Sequence, residues 1–160
     1  MYYLNYDVEN TNNKMNKIIT VIVFMIVTVS TITSQEWQTD FSKAKEIALK
    51  QDKPIILVFQ GSDWCAPCIK LDKEVWSTET FIKYAVEHYV MLKADFPRKK
   101  GNALSEAQTT ANAALAEKYN KQGYFPFVVV LDSEGVVLGE TSYKKTTPEN
   151  YIKELNAFIK

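Results

Sequence analysis

Pro54-Ile55-Ile56-Leu57-Val58-Phe59 and, a few residues on, Trp64-Cys65-Ala66-Pro67-Cys68 decide how this chain reads. The first run is short, apolar and rich in β-branched residues, the mark of a buried strand. After the second run, Ile69 to Trp76 places apolar residues at 69, 71, 75 and 76, which reads as the opening turns of a helix. The two cysteines, the only ones in 160 residues, therefore sit where a strand hands over to a helix. A helix N-terminus carries unpaired N–H groups and a positive partial charge, so a thiolate placed there is stabilised. In such a turn the first cysteine is usually exposed and the second tucked behind it. Cys65 is accordingly expected to attack and Cys68 to resolve, with a disulfide between them in the oxidised state.

Three roles compete for the pair. Half of a zinc site needs two further ligands, but no third cysteine exists and His88 is the single histidine. A purely structural disulfide across so small a loop would constrain the unfolded chain little. A redox-active dithiol carries neither objection. No metal site and no cofactor are expected.

The Trp64-to-Cys68 motif, preceded by a strand and opening a helix, resembles the active site of the thioredoxin superfamily. A second match lies at Gly123-Tyr124-Phe125-Pro126, ahead of the apolar run Phe127 to Leu131. The resemblance spans about residues 36–160 and is nearest to exported thioredoxin-like proteins of Gram-negative bacteria. It implies a thioredoxin-like α/β fold, a mixed central sheet with helices on both faces. It implies a cis bond before Pro126 packed against the dithiol, and a backbone at Phe125 offered to an extended substrate. Trp64, Ala66 and Pro67 then support the site. In the family a buried aspartate stands six positions before the first cysteine; here that position is Phe59. A lysine on the next strand accompanies it. Counting back from Asp95 puts that lysine at Met91, but Lys93 lies two residues on, on the same strand face, either serving the dithiol or reaching out to water. Asp72 and Glu74 are candidates to replace the missing acid, without helical spacing that points either inward.

Length fits one domain. The 19 basic and 19 acidic residues balance, so no excess positive charge exists to neutralise phosphates and no nucleic-acid partner is expected. Arg98-Lys99-Lys100 reads as a solvated loop. Residues 18–29 form an uncharged, mostly apolar run, preceded by Lys14 and Lys17 and followed by the small, polar stretch Ser30 to Ser34, broken by Ile32. This is the layout of a secretory signal over 1–34, cut after Ser34, leaving the thioredoxin-like domain at 35–160; an uncleaved anchor in the inner membrane is the alternative. Met15-Asn16-Lys17 is the more conventional start, since acidic residues such as Asp7 and Glu9 rarely precede a signal. Export leads to a periplasmic or secreted, oxidising setting.

The rest of the chain reads as a helix from Phe41 to Leu49 behind Thr39-Asp40, a helix from Glu79 to His88 behind Ser77 or Thr78, and a strand from Tyr89 to Ala94. A loop follows to Asn102, then an alanine-rich helix from Ala103 to Asn120. Strands at 126–131 and 136–141 flank a turn at 132–135, and a helix opens at Pro148. The functional expectation is a monomeric thiol–disulfide oxidoreductase, a reductase of protein disulfides kept reduced by a membrane electron donor. The intervening Ala66-Pro67 lacks the histidine that strong oxidants of the superfamily carry. The alternative is a non-catalytic thioredoxin-like binding module or a Cu(I) carrier, because soft thiolates select Cu(I).

Overall fold

The computed structural model describes residues 35–159. The leader expected over 1–34, its cut after Ser34, its alternative as an anchor and the start at Met15 all lie outside the described residues. Among the described residues no helix is long and apolar enough to cross a membrane.

The order is β1 (Trp37–Gln38), α1 (Phe41–Gln51), β2 (Ile55–Gln60), α2 (Ala66–Leu71) running into a π-helical turn (Asp72–Trp76), α3 (Glu79–His88), β3 (Val90–Asp95), a 3-10 turn (Lys100–Asn102), α4 (Glu106–Tyr119), β4 (Phe127–Leu131), β5 (Val137–Thr141) and α5 (Pro148–Asn156). The five strands form one sheet in the order β1-β3-β2-β4-β5. β1, β3 and β2 run parallel, and β4 is antiparallel to both β2 and β5. This is the mixed sheet with helices on both faces that the sequence implied.

Side-chain caps start the helices. Asp40 accepts from the N–H groups of Ser42 and Lys43 at 2.7 and 3.0 Å. Thr78, Ser105 and Thr147 open α3, α4 and α5 in the same way. Most elements fall within a residue or two of the sequence reading, and two depart from it further. β1 is only two residues long, too short to show a period, and exists because Trp37 and Gln38 pair with Met91 and Leu92. The alanine-rich helix begins at Glu106 rather than Ala103, because Ser105 supplies the cap after the 3-10 turn.

Strand alternation sorts β2 between two cores. Ile56 and Val58 face Leu71, Val75, Trp76, Phe81, Tyr151 and Leu155, under α2, α3 and α5. Ile55, Leu57 and Phe59 face Ala44, Ala48, Leu115 and Tyr119, under α1 and α4. Both sets are almost wholly buried, so β2 is the central strand and its C-terminal end is held rigidly from both sides. The β4–β5 turn closes on Asp132, whose carboxylate accepts from the N–H groups of Glu134 and Val136 at 2.9 and 2.8 Å. Gly135 takes a φ of 89° there, and a Cβ would stand 3.0 Å from Phe41 and from the Tyr119 hydroxyl, so only glycine fits.

Candidate active site

The dithiol sits at the junction of β2 and α2, where Cys65 is the N-cap residue and Ala66 and Pro67 form the first turn. Proline costs nothing there, since an N–H in the first turn has no intrahelical partner. Cys65 and Cys68 are joined in a disulfide with Cα atoms 5.2 Å apart, and the Cys68 N–H donates to Cys65 Sγ at 3.3 Å. Both cysteines are 4% exposed. In the oxidised form, then, Cys65 is as covered as Cys68; the two sulfurs differ in that only Cys65 receives this amide.

Trp64 lies over the turn. Its Nε1–H donates to the Phe96 carbonyl at 2.7 Å, and its ring meets Phe125 edge-on at 5.4 Å. Gly61 makes room for it: a Cβ on residue 61 would fall inside the indole. The Phe125–Pro126 peptide bond is cis. Phe125 also meets Phe96 at 5.4 Å, and the Ser142 hydroxyl donates to the Pro126 carbonyl at 2.6 Å. Buried Asn120 holds the approach to this loop, accepting from the Tyr124 N–H at 3.0 Å and donating to the Tyr124 carbonyl at 2.9 Å. Trp64, Cys65, Phe125 and Pro126 are thus brought to one end of the sheet, beyond the paired Phe59 and Phe127 of β2 and β4, from segments about sixty residues apart.

Sequence reading missed the staple between the dithiol turn and the loop after β3. The Ser62 N–H and hydroxyl donate to the Asp95 carboxylate at 2.9 and 2.6 Å. Asp63 accepts from the Arg98 and Lys99 N–H groups, both at 2.9 Å, and from the Asn102 side-chain amide at 3.0 Å. These bonds, the Arg98 N–H first, together hold the Asp63 carboxyl below its usual range against the opposing effect of desolvation. The Arg98 guanidinium lies 3.6 Å from the centre of the Trp64 ring. The loop read as merely solvated is therefore fastened to the active turn, although its basic side chains remain exposed. The available signal was weak: Ser62-Asp63 and Asp95 are residues that bind turn backbones, but their partners lie more than thirty positions away.

Behind Cys68 a cleft of about 280 Å³ is lined by Gln60, Ser62, Cys68, Ile69, Asp72 and Lys93. Lys93 pairs in register with Val58, and Met91 with Ile56. Its ammonium also stands 5.6 Å from the Trp37 ring. The structure thereby corrects the place of the missing acid. Phe59 faces the α1–α4 core, away from α2. Val58, beside Lys93 and on the α2 face, and Gln60, in the cleft itself, are the β2 residues behind the dithiol. Counting six back from Cys65 lands on the wrong face because the turn 61–64 sets the register. Asp72 borders the cleft, while Glu74 instead accepts from the Tyr143 hydroxyl at 2.7 Å. His88 ends α3, stacked on Tyr84 at 4.0 Å.

A family model described as thioredoxin-like matches residues 36–133. "Disulfide bond reductase DsbH" of Chlamydia pneumoniae is 32% identical over 125 residues, covering 78% of this chain and 73% of that protein. "Thioredoxin-related protein DsbJ" of the same organism is 29% identical over 98 residues, 61% of this chain and 27% of that one. The solved structure titled "DsbH Oxidoreductase" superposes with a TM-score of 0.72 at 33% identity, over 79% of this chain and 85% of that chain. With its Cys65–Cys68 disulfide seated between β2 and α2 of this fold, the chain belongs to the thioredoxin-like family and is a thiol–disulfide oxidoreductase.

Proposed function

We propose that this protein is an exported reductase of protein disulfides, working through Cys65 and Cys68 and recharged by a membrane electron donor. One observation carries the reading: the Cys68 N–H aimed at Cys65 Sγ, in a turn whose intervening Ala66 and Pro67 bring no charge and no side-chain donor. In the reduced protein the same amide favours the Cys65 thiolate over its thiol. The thiolate attacks a client disulfide; the client S–S bond breaks, one client sulfur leaves as thiolate, and a Cys65–client disulfide forms. Cys68 then gives up its proton and attacks Cys65 Sγ, so that the Cys65–Cys68 bond forms and the second client sulfur leaves. Two electrons have passed to the client. Phe125, packed on Trp64, and Pro126 form the wall along which an extended client segment lies.

The helix amide stabilises the thiolate without the further donors that make a strong oxidant, which supports the reducing direction. So does likeness to a relative named as a disulfide bond reductase. The basic, apolar and small-residue succession of residues 14–34 supports export. In an oxidising compartment the dithiol would stay oxidised unless a donor restored it. Reduction of insulin disulfides with dithiothreitol as electron source tests the activity. Acceleration is expected; a protein that leaves insulin unreduced while its own disulfide cycles normally would be a binding module instead.

A further inference from the structure

We propose that Arg98, Lys99 and Lys100 form a basic rim that selects client disulfides flanked by acidic residues; this deepens the reductase reading and rests on it. The chain is balanced in charge overall, yet three consecutive cations fall in the loop fastened to the dithiol turn. Of the nearby carboxylates, Asp63 offsets part of the Lys99 charge through space, and the hydrogen bonds of both Asp63 and Asp95 go to groups other than these side-chain cations. Asp63 is bound to the backbone of Arg98 and Lys99 and to Asn102, and Asp95 to Ser62. Asp72 lies on the other side, by Cys68. Among the described residues none of the three cations forms an ion pair, and all three are exposed.

Arg98 covers Trp64, the residue next to Cys65, so its charge stands at the margin of the reacting sulfur. The exposed surface around the two cysteines is apolar: Ala66 and Pro67, between them, are exposed, and Ile69, on the Cys68 side, is 49% exposed. A client segment lying across Cys65 therefore meets an apolar floor with positive charge along one side. Clamping the loop backbone lowers the conformational cost of presenting those charges. The complementary partner is an extended segment with Asp or Glu close to its cysteine, and the gain falls mainly on association rate.

The test uses protein reduced beforehand and freed of reductant, mixed with three peptide disulfides that differ only in having Glu, Gln or Lys beside the cysteine. Second-order rates in the order Glu, Gln, Lys are expected, with about a tenfold spread at low salt. The spread should collapse near 1 M salt, where the Debye length is about 3 Å. Lys99→Gln combined with Lys100→Gln, which spares the Trp64 stack, should narrow the spread measured relative to the Gln peptide. Equal rates for all three peptides, or a spread indifferent to salt and to that double variant, would overturn the proposal. Failure to react with any of them would instead sink the reductase reading beneath it.

Discussion

Two neighbouring substitutions separate the geometry from simple counting along the chain. Phe59→Asp puts a carboxylate six positions before Cys65; Val58→Asp puts it one residue further back. Phe59 is fully buried among apolar residues of α1, α4 and β4. Losing its ring costs about 3–5 kcal/mol, and burying an unpaired carboxylate adds several more. Against a whole-domain stability of about 5–15 kcal/mol, Phe59→Asp should leave the protein largely unfolded. Val58 is equally buried, but aspartate is close to it in volume and Lys93 stands beside it across the β2–β3 register. The lost valine transfer energy is about 1.5–3 kcal/mol, and the lysine offsets part of the charge burial, so Val58→Asp should fold. Its carboxyl, on the face that packs against α2, can then take the Cys68 proton. Urea melts would rank the stabilities, and stopped-flow decay of a Cys65–peptide mixed disulfide would report resolution. Val58→Asp is expected to speed resolution near neutral pH. A folded Phe59→Asp protein that resolves faster, beside an inert Val58→Asp, would refute the facial assignment.

Four further outcomes follow from the site. Cys65→Ser should abolish turnover, whereas Cys68→Ser should accumulate mixed disulfides and so capture the clients; alkylation of the reduced protein that marks Cys68 first would reverse these roles. Gly61→Ala should push Trp64 from its place and break its bond to Phe96, at a cost of about 1–3 kcal/mol, seen as a lower Tm and a shifted tryptophan emission; an unchanged spectrum would contradict the packing. Asp63 has a folded pKa below its unfolded value of about 3.9. Its contribution is therefore complete above that value and lost as pH falls through the lower folded value, so the stability gap between wild type and Asp63→Asn should be constant at neutral pH and close only in acid. Equilibration with glutathione should place the Cys65–Cys68 couple at about −200 to −270 mV; a value near about −120 mV, that of a strong oxidant, would turn the reductase reading into one of disulfide formation.

Local signals were legible wherever they were dense. The run Ile55 to Phe59, the cysteines after it and the apolar stretch after Pro126 place three strand or helix ends without help from the rest of the chain, and Asp40, Thr78 and Thr147 mark helix starts by residue type. Illegible features depend on pairing at long range. β1 has no period because two residues cannot show one; it is a strand because β3 passes beside it. Lys93 could not be placed from its own segment, since whether it faces the dithiol depends on the β2–β3 register.

The loop from Asp95 to Asn102 carries this furthest. Its composition, with Pro97, Gly101 and three bases, describes a solvated connection, and by exposure that description holds. Its role comes from its backbone. The Arg98 and Lys99 N–H groups are satisfied by Asp63, one residue before Trp64, and the Phe96 carbonyl takes the Trp64 indole N–H. A loop with free backbone donors would bind water and move; this one spends them on the dithiol turn, which fixes the position of Trp64 and leaves only its side-chain charges to face a client. Backbone groups are the same in every residue, so no residue-type pattern distinguishes a loop that is fastened from one that is not. What the sequence could supply was the other half of each bond, a short acid at Asp63 and another at Asp95, placed in turns where such side chains seek N–H partners.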